Sequence, residues 1–289
     1  MKHFQQEFDF SERRACSLAG QARSVQRYEG SREPDDALRE RLHALAVERP
    51  RFGYRRLAIL LRREGVDANH KRVWRVYRDA GLSVRKKRRK RIAWASRPER
   101  SAATKPNERW SMDFMSDSLV DGRSLRVLNI VDDFARRAVT MEVDLSLPAQ
   151  RVIRALEQAG ELYGLPSSIV VDNGPEFASK VLDAWCHERG IELIFIRPGK
   201  PIENAYAESF NGRVREECLN QHAFESVAHA RWVIESWRED YNTVRPHSAL
   251  DGLAPEKYLQ QWASAKTPQP AAVCVDVGAR TSTIPTPVP

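Results

Sequence analysis

The chain has 289 residues, 42% of them hydrophobic, and no apolar run approaches the ~20 residues that cross a bilayer. Wholesale disorder and a membrane-spanning protein are therefore excluded as readings. The formal net charge of +8 is local: residues 49–109 hold 21 Lys and Arg against 5 Asp and Glu, whereas residues 110–289 hold 18 against 25. A basic block joined to a mildly acidic body suits a polyanion partner, with a merely solvated basic linker as the plainer reading.

Cys16, Cys186, Cys218 and Cys274 are scattered and form no C-x-x-C pair. That spacing argues against a disulfide framework and a cysteine zinc site, and fits a reducing compartment. Met1 to Phe10 lacks the apolar core of a signal segment, so a cytoplasmic location is expected.

In chain order, residues 1–34 are expected to form an N-terminal helical segment, with two short helices over 11–29 broken at Gly20. Residues 35–84 form the next unit. A helix over 36–48 follows Asp35 and ends before Pro50. Over 54–64, Leu57, Leu60 and Leu61 share one helical face, and Gly65 closes the helix. Asn69 is placed to cap a helix over 70–80 whose inward stripe is Val73, Trp74, Val76 and Tyr77. Lys71, Arg72, Arg75 and Arg78 stay on its outer side as candidate DNA contacts. Two such helices across a short turn resemble a helix-turn-helix; a small helical bundle with a basic surface is the alternative.

Arg85, Lys86, Lys87, Arg88, Arg89, Lys90 and Arg91 follow without interruption. Seven adjacent cations need solvent or phosphate, and every phosphate neutralised adds to the salt dependence of binding. A nuclear-localisation signal has the same composition, but nothing else points to a nucleus. The run opens a basic linker over 85–108 that contains Pro98 and Pro106.

From Trp110 the pattern turns to strands, expected near 109–117, 124–132 and 136–143 as a meander. Pro148 opens a helix to about Tyr163, and Ile169-Val170-Val171 reads as a buried parallel strand. A helix from about Glu176 to Arg189, a strand over 191–196 and helices over 203–219 and 227–240 complete the series. Three antiparallel strands followed by alternating helix and strand is the order of a ribonuclease-H-like fold. The expected class is thus α/β, a mixed five-stranded sheet with flanking helices over 109–262, preceded by the small all-α module. Residues 263–289 are rich in Pro, Thr and Ala and are expected to be a disordered tail.

Three carboxylates stand out in this core. Asp113 lies in the first strand, Asp172 just past a short apolar strand, and Glu208 on a helix, with thirty-five residues between it and Asp172. At about 100° per residue, Asn204, Glu208, Asn211 and Arg215 share one helical face, and Ile202, Tyr206, Phe210 and Val214 lie opposite. That division expects the helix to pack by its apolar side and present Glu208 to substrate. Three acids meeting at one crevice repel one another, so without metal at least one should be harder to ionise. Hard oxygen donors of this kind fit two Mg²⁺ ions, with Mn²⁺ tolerated. Taken singly, each residue has an ordinary reading as a turn aspartate or a solvated helix glutamate. Asp132, Asp133 and Glu203 are rival carboxylates; Asp133 reads as a strand-turn residue, and Glu203 is off the shared polar face.

The motifs carrying these residues resemble a known family. They are Phe52-Gly53-Tyr54-Arg55-Arg56, Trp110-Ser111-Met112-Asp113-Phe114, and Val171-Asp172-Asn173-Gly174-Pro175-Glu176-Phe177. Arg197-Pro198-Gly199-Lys200-Pro201, Asn204-Ala205-Tyr206-Ala207-Glu208-Ser209-Phe210-Asn211-Gly212 and Tyr241-Asn242-Thr243-Val244-Arg245-Pro246-His247-Ser248-Ala249-Leu250 follow. Together, over roughly residues 10–260, they resemble the OrfB-type transposases of bacterial insertion sequences, within the retroviral-integrase superfamily. The resemblance implies a DDE transposase in which Asp113, Asp172 and Glu208 are catalytic and hold the metal ions, two per site. It implies cleavage of a strand at the element ends and joining of the freed 3′ hydroxyl to another phosphodiester.

It also implies DNA as partner, a homo-oligomer on DNA, a bacterial nucleoid setting and an upstream-frame partner, OrfA. Arg215, seven places after the glutamate, would meet a DNA phosphate, with Asn204 and Asn211 as neighbouring DNA contacts. No paired His and Cys lie near the N-terminus, so no zinc module of the retroviral kind is expected. Two other readings stay open: a non-catalytic regulator that only occupies element ends, and a nuclease on the same fold. His247 is left between a DNA contact and a prop for the C-terminal segment.

Overall fold

A computed structural model describes residues 2–28, 35–84, 102–197 and 204–266. The basic run 85–91, Glu203, Ile202 and the expected tail from 267 onward lie outside the described residues.

Six helices come first: α1 (Lys2–Phe8), α2 (Glu12–Leu18), α3 (Arg23–Gln26), α4 (Asp36–Glu48), α5 (Tyr54–Arg63) and α6 (His70–Asp79). The first of these lies in the expected N-terminal helical segment, ahead of the two short helices foreseen over 11–29. Helices α4, α5 and α6 close on a core of their own, built from Leu38, Leu42, Leu45, Leu57, Leu61, Val73, Val76 and Tyr77. Asn69 caps α6 by accepting the Lys71 N–H at 3.0 Å, one of the amides that a helix start leaves unpaired. Trp74 departs from expectation. It is 43% exposed rather than inward, and the Arg78 guanidinium stands over its ring at 4.7 Å. Val73, Val76 and Tyr77 already fill the stripe facing α4 and α5, and the cation over the ring compensates an indole left in water.

The second unit is a five-stranded sheet. Its strands are β1 (Arg109–Ser118), β2 (Ser124–Asp132), β3 (Ala138–Asp144), β4 (Ser168–Val171) and β5 (Glu192–Phe195), in the order β3-β2-β1-β4-β5. β1 pairs antiparallel with β2, β2 antiparallel with β3, and β4 runs parallel to both β1 and β5. This is the ribonuclease-H-like order that the sequence predicts.

Strand alternation separates two cores. Trp110 and Met112 of β1 face α7 (Ala149–Tyr163) and α8 (Lys180–Glu188), with Leu128, Ile130, Ile169 and Val171 beside them. Met115, Val127 and Val143 face the other way, toward α9 (Ala205–Glu217) and α10 (Val227–Thr243). Asp113 shares the parity of Met115 and so lies on the α9 side. The last helix among the described residues is α11 (Pro255–Lys266), whose Tyr258 and Trp262 pack on Phe134 in the β2–β3 turn. Residues 263–266, expected in the tail, are the last turn of this helix.

One helix start is later than expected. The helix foreseen from Glu176 begins at Lys180, because Gly174 first takes the amides of Phe177 and Ala178 in a turn. Ser179 then caps the helix by accepting the Leu182 N–H at 3.2 Å. Among the described residues, no helix is long and apolar enough to cross a membrane.

Candidate active site

The three predicted carboxylates come from three elements around β1, the central strand. Asp113 is half-buried at mid-strand. One carboxylate oxygen accepts the Phe114 N–H at 2.8 Å, and the other accepts the Asn211 amide at 2.7 Å. Asn211 in turn accepts from Asn129 Nδ2 at 2.7 Å, and Asn129 stands directly opposite Asp113 in the β1–β2 register. Asn129 is fully buried in the otherwise apolar Val127-Leu128-Asn129-Ile130-Val131, and sequence reasoning missed it. A lone amide in such a run was the available signal, because buried polar groups are placed where partners wait.

Asp172 follows β4, where parallel strands open onto a crevice. Its Oδ1 accepts the Gly174 N–H at 3.0 Å, and a Cβ on Gly174 would come within 2.9 Å of that oxygen. Any larger residue there would displace the Asp172 carboxylate from this position. Asn173 anchors the same turn by donating to the Ile196 carbonyl at 2.8 Å. Phe177, fully buried, stacks on Phe114 with ring centroids 4.9 Å apart, tying the Asp172 segment to the residue after Asp113. Arg126 lies over the Phe114 ring at 4.5 Å and pairs with Glu176. Glu208 is exposed in the first turn of α9.

Burial pushes the Asp113 carboxyl up to about 6. The Phe114 N–H works against the rise, and the charges of Asp172 and Glu208 add to it. Both acids therefore act electrostatically on Asp113, as three converging carboxylates must. They do not close into a ready-made clasp: among the described residues, no group of three acidic, imidazole or thiol side chains is close enough to hold an ion.

The rival acids have structural work. Asp132 accepts from the amides of Phe134 and Ala135 and from the Asn107 N–H, pinning the β2–β3 turn. Asp133 takes the Ser111 hydroxyl at 2.6 Å and faces Arg109 at 3.6 Å, and its burial pushes the carboxyl up to about 6.

On helix α9 the expected apolar side is buried and Glu208 is exposed, but the rest of the polar side docks on the strand instead of facing solvent. Phe210 and Val214 enter the core under α10, while the polar residues dock on β1. Asn204, only 3% exposed, donates to the Met112 carbonyl at 3.0 Å. Arg215 holds Asp117 at 2.8 Å and the Ser116 carbonyl at 2.5 Å. In this conformation Asn204, Asn211 and Arg215 fasten the helix to the strand and leave Glu208 at the exposed edge. Spacing alone could not foresee this, since β1 offers carbonyls and acids to any polar face laid over it.

His247 is buried, with Nδ1 2.8 Å from the Arg245 carbonyl and its ring edge-on to Tyr241 at 4.6 Å. Burial beside the Arg245 charge drives its pKa down to about 3, so it is a neutral packing residue rather than a surface contact.

On α6, Lys71 and Arg78 are exposed, whereas Arg72 and Arg75 bind the two oxygens of Asp35 at 2.7 and 2.5 Å.

Comparison with known proteins covers both units. Residues 103–201 and 189–255 match the integrase core domain, and residues 33–91 match an HTH-like domain. The chain is 48% identical over 259 residues to an uncharacterized protein of insertion element IS407 from Burkholderia multivorans, covering 89% of this chain and 94% of that protein. It is 46% identical to an uncharacterized protein of IS476 from Xanthomonas euvesicatoria, covering 87% and 73%. It is 30% identical to the transposase of IS904 from Lactococcus lactis, covering 77% and 93%. Among solved structures, the HTLV-2 integrase catalytic core in complex with magnesium matches 53% of this chain and 96% of its own, at 20% identity and a TM-score of 0.45.

Proposed function

Because the chain belongs to the integrase-core family of insertion-sequence transposases, which are polynucleotidyl transferases of the DDE type, we propose that Asp113, Asp172 and Glu208 are its catalytic carboxylates. They would cleave a strand at the element ends and transfer it to target DNA. The observation that carries this reading is the Asp113 carboxyl, half-buried at mid-strand and raised first by burial, with the charges of both other acids adding to the rise. Three hard oxygen donors from three elements suit Mg²⁺, with Mn²⁺ as a substitute, at two ions per site. When bound, such ions supply activation of the attacking oxygen and neutralisation of charge on the phosphodiester.

The chain's own residues supply position. Asn211 and the Phe114 amide fix the Asp113 oxygens, and the Gly174 amide fixes one oxygen of Asp172. Glu208, on the exposed turn of a helix fastened to β1, is the ligand with freedom to swing inward. Lys71 and Arg78 are proposed to meet DNA backbone directly. Arg72 and Arg75 would do so by exchanging Asp35 for phosphate, and residues 85–91 would add the salt-sensitive part of affinity. Activity on DNA would involve several copies of the chain and the upstream-frame partner OrfA, in a cytoplasmic, nucleoid-associated setting.

The test is Mg²⁺-dependent cleavage and joining of element-end DNA. Glu208→Gln should fold and bind DNA while turnover falls below detection, and retained joining would reject Glu208 as a ligand. A second reading, occupancy of element ends without chemistry, draws on the open spacing of the three acids. Wild-type binding with no Mg²⁺-dependent product, matched by Asp172→Asn, would favour it.

A further inference from the structure

Two motifs have no part in the carboxylate site: Phe52-Gly53-Tyr54-Arg55-Arg56 in the helical module, and the segment from Tyr241 to Leu250, which runs from the last turn of α10 into the loop after it. The fold brings them together. Arg56 reaches out of α5 and binds Glu217 Oε1 at 2.9 Å. The Arg245 guanidinium meets both oxygens of the same Glu217, at 2.6 and 2.8 Å. The carboxylate is nearly enclosed, with its side chain 6% exposed, and it is matched by two cations from opposite ends of the chain. Burial opposes its charge, and the two guanidiniums more than offset that, holding the carboxyl below the ordinary range.

Three further contacts repeat the pairing. Arg49 binds Asp240 on α10. Arg63 reaches the carbonyls of Val244 and Gly252, the latter at 2.9 Å. Gly252 has a φ of +81°, which glycine adopts without strain, and a Cβ there would meet Ile59 Cδ1 of α5 at 2.9 Å and force that side chain to shift. Phe52, buried, has Arg49 and Arg56 over its ring at 5.5 and 5.1 Å, and so splays them toward their two acids.

Glu217 is the last residue of α9, and Glu208 lies nine positions earlier on the same rod, about 14 Å along its axis. We propose that Arg56 and Glu217 are positioning residues: the docked helical module holds the far end of α9 and thereby sets where Glu208 stands. The helical module is thus a structural part of the catalytic centre as well as a reader of DNA. This rests on the assignment of Glu208 above.

The experiment uses the full chain and Arg56→Met, which removes the guanidinium but leaves Glu217 paired with Arg245. Cleavage of pre-bound element-end DNA should slow at least tenfold, with DNA affinity within twofold of wild type. The Mg²⁺ concentration for half-maximal cleavage should rise. In protein without metal or DNA, hydrogen exchange should quicken in α9 and residues 244–252 but not in α7. Arg56→Lys should recover part of the rate. As a second handle on the interface, Arg49→Asp and Asp240→Arg should each slow cleavage, and the double exchange should restore it.

Unchanged cleavage and unchanged α9 exchange in Arg56→Met would overturn the proposal. So would exchange that quickens evenly through the whole sheet, which marks a general loss of stability. If Glu208→Gln cleaves normally, the catalytic assignment fails instead, and α9 exchange still decides whether docking governs the helix.

Discussion

Asp113 has to serve two opposed demands, since it must be held in place by neighbours and yet sits where its charge is unwelcome. Its folded pKa of about 6 lies above the ordinary 3.8, so the folded state binds its proton more tightly than the unfolded state does. Stability from this group is therefore complete below about pH 4 and is lost as pH rises through 6. In metal-free buffer, the wild type should lose roughly 2 kcal/mol between pH 4 and 8 that Asp113→Asn keeps. Urea titrations across that range check this, and parallel stability profiles would mean that the carboxyl is not raised. Added Mg²⁺ should restore the wild type at pH 8 and leave the variant unmoved, because the neutral amide no longer attracts the cation.

At the scale of elements, Asn242 shows how a helix can finish a sheet. Its buried side chain accepts the Ala138 N–H and donates to the Ala138 carbonyl, both at 2.9 Å, so α10 supplies a strand-like partner at the start of β3. Asn242→Ala would leave the Ala138 N–H unmatched, while its carbonyl keeps Arg238 Nη1 at 3.1 Å, and should cost roughly 1–3 kcal/mol in denaturant unfolding, with β3 amides losing exchange protection first. A cost below 1 kcal/mol would mean that water replaces the amide. The elements themselves were largely legible, because periodicity, Asn69 and the apolar Ile169-Val170-Val171 are local signals. The strand order and the family could also be read from the chain. Trp74, the late start of α8 and the docked polar face of α9 were not legible, for each depends on what another segment presents. The buried amide at 129 was visible but its meaning was not, since the register that sets it against Asp113 exists only in the sheet. The three acids were singled out in sequence; their open spacing could not be.

For the whole molecule, charge is divided by task. Arg49, just past α4, and Arg56 and Arg63 of α5 are committed to acids and carbonyls of the catalytic unit, while α6 and the run 85–91 remain the cationic candidates for DNA. Replacing residues 85–91 with neutral polar side chains should flatten the dependence of log affinity on log salt by about 0.9 for each phosphate that is no longer neutralised. Filter binding between low and moderate salt measures it, and an unchanged slope would give that run another task. Cleavage per bound complex should be preserved, which distinguishes this change from Arg56→Met. The Gly252–Ile59 approach and the shared Glu217 have one more implication, for hybrids between relatives. A mosaic chain whose front portion comes from one parent and whose remainder comes from another inherits half of a fitted joint from each. Swaps that exchange 49–63 together with 217, 240 and 244–252 should yield working hybrids, where swaps cut between them should not.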